Sequence, residues 1–217
     1  MVSLDFVVQN PERIFFVMRF IRGGELFTVL RDEQKINEDR ARFYAYNIAL
    51  SLGYLHSKKI IYRDLKPENV LIDEQGYLVL TDFGLAKIIE RDEVASTFCG
   101  TPEYMAPEIQ NEEDGYSFEV DWWSLGILTY EMIVGFAPFY AKAGQDPDSI
   151  FRIIRKKKLI FPDPQLHGIA MSDECKDFIT KITMKDFKKR LGHENDVEDI
   201  LSHPWFKEFN KRSFEAK

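Results

Sequence analysis

The 217-residue sequence has few cysteines, glycines and prolines, and it shows no secretory start. Two cysteines, Cys99 and Cys175, cannot build a disulfide framework, and no Cys/His spacing of a zinc site occurs. Twelve glycines and nine prolines without a repeating period exclude collagen-like and low-complexity chains. No basic segment followed by a long apolar run opens the sequence, so we expect no signal peptide. These absences predict an intracellular, cytoplasmic protein.

Positive charge is also in deficit, because 29 basic and 36 acidic side chains give 29 − 36 = −7. This balance argues against nonspecific nucleic-acid binding and suits basic partners. Aromatic residues are plentiful instead, with 18 Phe, 9 Tyr and 3 Trp, which excludes global disorder. The apolar stretch 122–140 contains Glu131, which would cost about 2.5–3.5 kcal/mol inside a bilayer. A buried helix is therefore predicted there, with no membrane span.

The order of hydrophobic patterns predicts one compact unit of the α+β class. The apolar segment 14–18 predicts a strand buried on both faces, and 70–72 with 77–80 predicts a hairpin. Helical spacing dominates later, and no regular period appears between 87 and 107, where we expect a long functional loop. Helices are predicted over residues 25–30, 37–56, 120–134, 147–156, 173–183 and 197–201.

The most specific motif is Tyr-Arg-Asp-Leu-Lys-Pro-Glu-Asn at 62–69. Its Asp64 and Lys66 set a carboxylate beside an ammonium on one loop. A carboxylate can accept a hydroxyl proton, while a lysine can neutralise a phosphoryl group in transfer. The segment therefore points to phosphoryl transfer.

A second motif, Asp-Phe-Gly at 82–84, follows the predicted hairpin. Asp82 and Asn69 offer the hard oxygen ligands that Mg²⁺ prefers when it bridges phosphates. Gly84 is expected to let the backbone turn sharply and orient the Asp82 carboxylate. The two motifs together predict a magnesium–phosphate site.

These motifs, followed by Ala-Pro-Glu at 106–108, resemble the protein-kinase signature set. Tyr62 in place of histidine, the segment 97–104 and Asp-Trp-Trp-Ser-Leu-Gly at 121–126 narrow the resemblance to AGC serine/threonine kinases, the group of cyclic-AMP-dependent, Akt and S6-kinase-type enzymes. The resemblance runs from the first residues to about residue 209. It implies transfer of the ATP γ-phosphoryl group to protein Ser or Thr, in a kinase-like fold with a mainly helical large lobe.

The resemblance also implies roles for single residues. Asp64 matches the catalytic base, Lys66 the γ-phosphate contact, and Thr101 the hydroxyl that bridges them and accompanies Ser/Thr specificity. Asn69 and Asp82 match the Mg²⁺ ligands. Structural roles are implied for Phe83, Gly84, Asp121, which braces the catalytic-loop backbone, and the ion pair of Glu108 and Arg190.

Thr97 matches the activation-loop phosphothreonine. Once phosphorylated by an upstream activating kinase, it would pair with Arg63 and order the loop. Taken alone, Thr97 is an ordinary loop residue, and both interpretations stay open. The site for ATP is implied by residues that match the gatekeeper, the hinge and their surroundings: Met18, Arg19, Ile21, Glu25 and Leu71.

Glu25, Glu68 and Glu131 match carboxylates that receive ribose or the upstream arginines of a substrate. The implied substrates are therefore proteins with basic residues before the Ser or Thr. Glu131 alone also fits a buried helix carboxylate paired for stability, so both interpretations stay open for it.

No Gly-x-Gly-x-x-Gly occurs, and no Ala-x-Lys strand precedes residue 18. We therefore expect a partial kinase domain over 1–209, made of a small-lobe strand remnant (1–18), a hinge (19–24) and a large lobe (25–209), with a truncated tail at 210–217. The alternative is a truncated, non-catalytic scaffold or decoy.

Overall fold

The computed structural model describes residues 1–89, 94–110, 115–141 and 149–207. Within these ranges the strands form three two-stranded antiparallel sheets. The sheets pair β1 with β2, β3 with β6, and β4 with β5. The strand bounds are Leu4–Gln9 (β1), Ile14–Met18 (β2), Ile60–Ile61 (β3), Val70–Ile72 (β4), Leu78–Leu80 (β5) and Lys87–Ile88 (β6).

The helices of the described ranges agree with the predicted ones to within a few residues, apart from one short helix that was not predicted, Pro164–His167. Residues 147–148 of one predicted helix and the predicted tail at 210–217 lie outside the described residues. The helix bounds are Leu26–Glu33 (α1), Glu38–Ser57 (α2), Glu119–Val134 (α3), Ser149–Lys156 (α4), Pro164–His167 (α5), Asp173–Ile182 (α6) and Val197–Leu201 (α7).

Helices α2 and α3 form the centre of the core. The side chain of Asn37 caps α2 by accepting a hydrogen bond from the Arg40 amide, as the sequence predicts for a helix start. In α3 every residue except Glu119 and Glu131 is buried. The prediction of a buried helix over 120–134 is thus confirmed, and within the described part of the chain we find no helix suited to crossing a membrane.

Strand β2 is present where the sequence predicts it, but the expectation that it is buried on both faces is wrong. Four of its five residues are exposed. Its sheet partner in the described residues is β1, whose six residues are exposed as well. A two-stranded ribbon leaves both faces open, so an apolar run in it does not become a core strand.

Residues 90–93 of the predicted loop between 87 and 107 lie outside the described residues, and the remainder contains more regular structure than expected. It begins with β6, and a 3₁₀ turn covers Pro102–Tyr104. Ala95 also forms an isolated bridge with Tyr116, which ties this segment to the start of α3. Short elements of two or three residues leave no hydrophobic period, so the pattern of the sequence misses them.

Candidate active site

Asp64 lies at the centre of a buried polar cluster. It follows β3, and its side chain is 8% exposed. Its Oδ2 atom lies 3.0 Å from Nζ of Lys66, and Oγ1 of Thr101 donates to Oδ1 at 3.2 Å. Lys66 also donates to Thr101 at 3.1 Å. The structure therefore brings together three residues that the sequence separates by up to 37 positions.

Asn69 completes this cluster and connects it to the next motif. Its Nδ2 atom donates to the backbone and side-chain oxygens of Asp64, both at 2.8 Å. The Asn69 carbonyl accepts a 3.0 Å hydrogen bond from the amide of Thr81, the residue before Asp82. Because the amide nitrogen of Asn69 faces Asp64, its amide oxygen is left for another partner. An amide oxygen and a carboxylate with few protein partners are a donor set that fits Mg²⁺ completed by phosphates.

A backbone turn is present at Gly84, as predicted: the Ala86 amide donates to the Phe83 carbonyl at 3.1 Å. The residue with a left-handed backbone conformation is Asp82, with φ 52°. The Gly84 amide donates to Oδ1 of Asp82 at 3.0 Å, and a Cβ atom at Gly84 would lie 3.0 Å from the same atom. A side chain at residue 84 would therefore crowd the carboxylate. Phe83 packs edge-on against Tyr62 with ring centroids 5.5 Å apart.

Asp121 anchors the loop that carries Asp64. It is fully buried in the first turn of α3, and its two carboxylate oxygens accept the amides of Tyr62 and Arg63 at 2.8 Å each. Arg63 has a positive φ of 68°, a conformation that non-glycine residues adopt only where their surroundings enforce it. The carboxylate supplies that enforcement immediately before Asp64.

Arg63 also faces the loop that contains Thr97. Its Nε donates to the Leu85 carbonyl at 2.6 Å, and its Nη1 donates to the hydroxyl of Tyr116 at 2.9 Å. That hydroxyl donates to the Thr97 carbonyl at 2.6 Å, while Thr97 itself is exposed. The Arg63 guanidinium therefore lies one hydroxyl group away from the backbone of Thr97. Cys99 is another neighbour, with Sγ 3.9 Å from the same hydroxyl.

Glu131 accepts a hydrogen bond from the hydroxyl of Tyr104. Burial raises the pKa of the Glu131 carboxyl, the Tyr104 hydrogen bond opposes this, and the charges of Glu68 and Glu103 add to the increase. Glu68 and Glu103 are exposed. Three carboxylates close enough for Glu68 and Glu103 to act on the charge of Glu131 form a surface that favours a cation.

Glu108 and Arg190 form a buried ion pair. Arg190 is 2% exposed, and its second nitrogen donates to Oε2 of Glu108 at 2.8 Å. Arg190 also donates to the carbonyls of Met184 and Glu119, both at 2.9 Å, and its guanidinium lies 5.2 Å from the ring centroid of Trp123. The pair thus fixes the end of the 94–110 segment to the start of α3.

The residues predicted to hold a nucleotide meet at one cavity of about 570 Å³. Backbone hydrogen bonds of 2.9 Å pin residues 23–24 to Ile72. At Gly23 a Cβ atom would lie 2.3 Å from the Ile72 carbonyl oxygen, so this approach requires glycine. Thr81, the neighbour of Asp82, lines the same cavity. The predicted residues in its wall are Met18, Arg19, Ile21, Glu25 and Leu71.

Three residues of the site have no signal in the sequence: His56, Tyr116 and Asp196. His56 is buried and contacts Asp121 and Asp196, which lie 65 and 140 positions away. No ligand spacing marks a histidine whose partners are that distant. One signal was available: a carboxylate buried at Asp121 requires a hydrogen-bonding or charged partner, and a search for that partner could have led to His56.

Comparison with known proteins assigns residues 1–206 to the protein kinase domain family. Serine/threonine-protein kinase sgk-1 of Caenorhabditis elegans is 50% identical over 95% of this chain and 42% of its own length. Human serine/threonine-protein kinase Sgk2 is 45% identical over 97% of this chain and 55% of its own length. The type 3 cAMP-dependent protein kinase of Saccharomyces cerevisiae is 44% identical over 92% of this chain and 48% of its own length.

The chain thus spans about half the length of the curated relatives it matches. These relatives confirm the resemblance to AGC kinases, and the mixed helix and strand content agrees with the predicted kinase-like fold class. With the match over nearly all its residues, the chain belongs to the protein kinase domain family.

Proposed function

We propose that this chain is the catalytic part of a serine/threonine protein kinase. The observation that carries the proposal is the Asp64 carboxylate, which Asn69, Lys66 and Thr101 hold at 2.8–3.2 Å. Three donors orient a carboxylate of low exposure, and one of them is Asn69, a predicted metal ligand. Positioning and electrostatic stabilisation are the main contributions a protein makes to phosphoryl transfer.

In the proposed reaction, Asp64 accepts the proton of a substrate Ser or Thr hydroxyl as that oxygen bonds to the γ-phosphorus of ATP. The bond from the γ-phosphorus to its bridging oxygen breaks, and the electron pair leaves with ADP. Lys66 lies beside Asp64 and neutralises charge on the transferred group. We propose that Asn69 and Asp82 hold Mg²⁺, which when bound neutralises charge on the phosphates.

For ATP we propose the 570 Å³ cavity, with the backbone of residues 19–21 against adenine and Glu25 near the ribose. Residues 1–18, 19–24 and 25–209 then correspond to a small-lobe strand remnant, a hinge and a large lobe. We further propose an intracellular, cytoplasmic location. Its support is that Cys99 and Cys175 are both free, as expected of a reducing compartment.

Incubation of the full chain with Mg·ATP and an arginine-rich Ser/Thr peptide tests the proposed function. Incorporation of phosphate into Ser or Thr, identified by mass spectrometry, is expected, and a matched Tyr peptide should remain unmodified. If the chain transfers no phosphate to either peptide, the catalytic proposal fails and the non-catalytic scaffold is favoured.

The carboxylates Glu68 and Glu131 support the proposal that the substrates carry basic residues before the Ser or Thr. We expect Glu131→Gln to reduce the preference for an arginine-containing peptide over its alanine analogue about tenfold, because a hydrogen bond to a charged group is worth about 1.5–3 kcal/mol. The ratio of kcat/KM for the two peptides measures this preference.

The matched control is Tyr104→Phe, which removes the hydroxyl that donates a hydrogen bond to Glu131 but keeps the Glu131 carboxylate. This variant should retain most of the preference for arginine. If Glu131→Gln lowers the urea midpoint while the peptide preference stays the same, Glu131 is a structural carboxylate and the substrate role is wrong.

The positions of Thr97 and Arg63 support the proposal that an upstream activating kinase regulates this chain. A phosphate on Thr97 would reach the Arg63 guanidinium, which Tyr116 already holds near the Thr97 backbone. We expect phosphorylated chain to show about tenfold higher kcat, from a charge-assisted hydrogen bond of about 1.5–3 kcal/mol.

Thr97→Ala should abolish this activation, whereas its neighbour Ser96→Ala should keep it. Arg63→Ala should accept the phosphate on Thr97 but gain no activity from it. Equal activation in the wild type and in Arg63→Ala would contradict the pairing.

A further inference from the structure

Asp196 joins parts of the chain that lie far apart in the sequence. Its Oδ1 atom lies 2.8 Å from Nδ1 of His56 and accepts a 2.9 Å hydrogen bond from Nε1 of Trp122. His56 lies in the last turn of α2, and Trp122 lies in the first turn of α3. One carboxylate oxygen therefore ties the segment before α7 to both central helices.

His56 extends this contact to Asp121. Its Nε2 atom lies 2.9 Å from Oδ2 of Asp121, and both side chains are fully buried. The two oxygens of Asp121 also accept the amides of Tyr62 and Arg63. These amides belong to the two residues before Asp64, so continuous hydrogen bonds lead from Asp196 to the backbone that carries the proposed catalytic base.

The charge of His56 decides whether this network is complete, because only an imidazolium donates from both ring nitrogens. Burial by itself would lower the pKa of His56, but the hydrogen bonds and charges of Asp121 and Asp196 outweigh burial and raise it to about 9. In the groove beside them, His193 is hydrogen-bonded to Glu119 at 2.8 Å. The other titratable groups that line this groove are Lys59, Glu194 and Glu198.

The backbone is strained at both ends of the network. Asp196 has φ 50° and ψ −125°, and Arg63 has φ 68°. Non-glycine residues hold such conformations only where surrounding interactions enforce them, and functional sites are where they cluster. At Asp196 the two side-chain hydrogen bonds provide the enforcement, and at Arg63 Asp121 does.

We propose that Asp196 is a positioning residue for Asp64: its carboxylate fixes His56 against Asp121, and Asp121 in turn holds the Tyr62 and Arg63 amides. The role of Asp64 in this statement rests on the proposed function, whereas the coupling from Asp196 to the two amides does not. A merely structural Asp196 would tie α7 to the core and leave both His56 and the amides unchanged.

The substitution Asp196→Asn tests the proposal with little disturbance of packing. The Asp196 side chain is 36% exposed, and asparagine keeps an oxygen that can accept from Trp122. In the full chain with ¹³C-labelled histidine, NMR should give a titration midpoint near pH 9 for His56. In Asp196→Asn the midpoint should fall by at least about one pH unit, because one of two negative partners is lost.

Amide hydrogen exchange gives a second measurement that needs no activity. At pH 8, exchange of the Tyr62 and Arg63 amides should become about tenfold faster in Asp196→Asn. The reason is that a weaker contact of His56 with Asp121 also weakens the hydrogen bonds from the two amides to Asp121. The matched control is Glu198→Gln, which removes a charge from the same groove. It should leave both the His56 midpoint and the two exchange rates as in the wild type.

Phosphotransfer then tests the link to Asp64. In Asp196→Asn we expect kcat at pH 8 to fall about tenfold with an unchanged KM for the peptide, and to decline with rising pH earlier than in the wild type. An unchanged His56 midpoint, unchanged amide exchange or unchanged kcat would each overturn the proposal. An inactive wild type would instead contradict the proposed function, while NMR and exchange would still decide whether Asp196 controls the two amides.

Discussion

Asp64→Asn is expected to lower kcat for phosphate transfer by about 10³-fold, within the 10²–10⁴-fold range of general base catalysis. Asparagine cannot accept the proton of the substrate hydroxyl. It also presents an NH₂ group to one of the donors that now surround the carboxylate, namely Asn69, Lys66 or Thr101. A loss of 10³ corresponds to about 4 kcal/mol of transition-state stabilisation. Initial rates at saturating Mg·ATP measure it.

The control for this substitution is Asp73→Asn in the turn between β4 and β5. The Asp73 carboxylate accepts the amides of Gln75 and Tyr77 and takes no part in the hydrogen bonds described above for the Asp64 cluster. Asparagine keeps an acceptor oxygen there, so we expect wild-type rates. Substantial transfer by Asp64→Asn, with stability equal to that of the control, would contradict the role of Asp64 as base.

Glu108→Gln is expected to lower the free energy of unfolding by about 3–5 kcal/mol, because it leaves the buried Arg190 guanidinium without its charged partner. The urea midpoint should fall by about 1–5 M for a slope of about 1–3 kcal/mol per M. Circular dichroism at increasing urea measures the midpoint. The variant should also lose phosphotransfer at temperatures where the wild type remains folded.

The exposed pair of Asp186 and Lys189 provides a matched comparison. Their side chains are 46% and 71% exposed and lie 3.2 Å apart. Exposed pairs contribute little, so Asp186→Asn should leave the midpoint nearly unchanged. The double variant Glu108→Gln with Arg190→Met should recover part of the loss, because it removes the uncompensated charge. A midpoint in Glu108→Gln equal to that of Asp186→Asn would show that the buried pair does not stabilise the fold.

Local signals account for most of what the sequence predicted correctly. The cap at Asn37, the hairpin around the turn at 73–76 and the apolar run of α3 are all encoded within about 20 residues. Their causes are helix capping, turn chemistry and hydrophobic spacing, and each acts between close neighbours in the chain. The same holds for the order of motifs that identified the family, since each motif is a short segment.

The prediction for β2 failed for a different reason. Its five apolar residues fit a strand, but whether a strand is covered depends on elements from other parts of the chain. At Gly84 local rules predicted a turn, which is present, but they did not indicate that the left-handed residue is Asp82. The close approach of the Asp82 carboxylate to residue 84 also has no signal in the sequence.

The sequence by itself determined the family, the fold class and the chemical types at the centre of the site, a carboxylate, an ammonium and oxygen ligands in fixed order. Only the tertiary structure decided how they meet: Thr101 beside Asp64, Tyr116 between Arg63 and Thr97, and the buried His56. These contacts join residues many positions apart, and chain folding, rather than any period or spacing along the sequence, brings such residues within hydrogen-bonding distance.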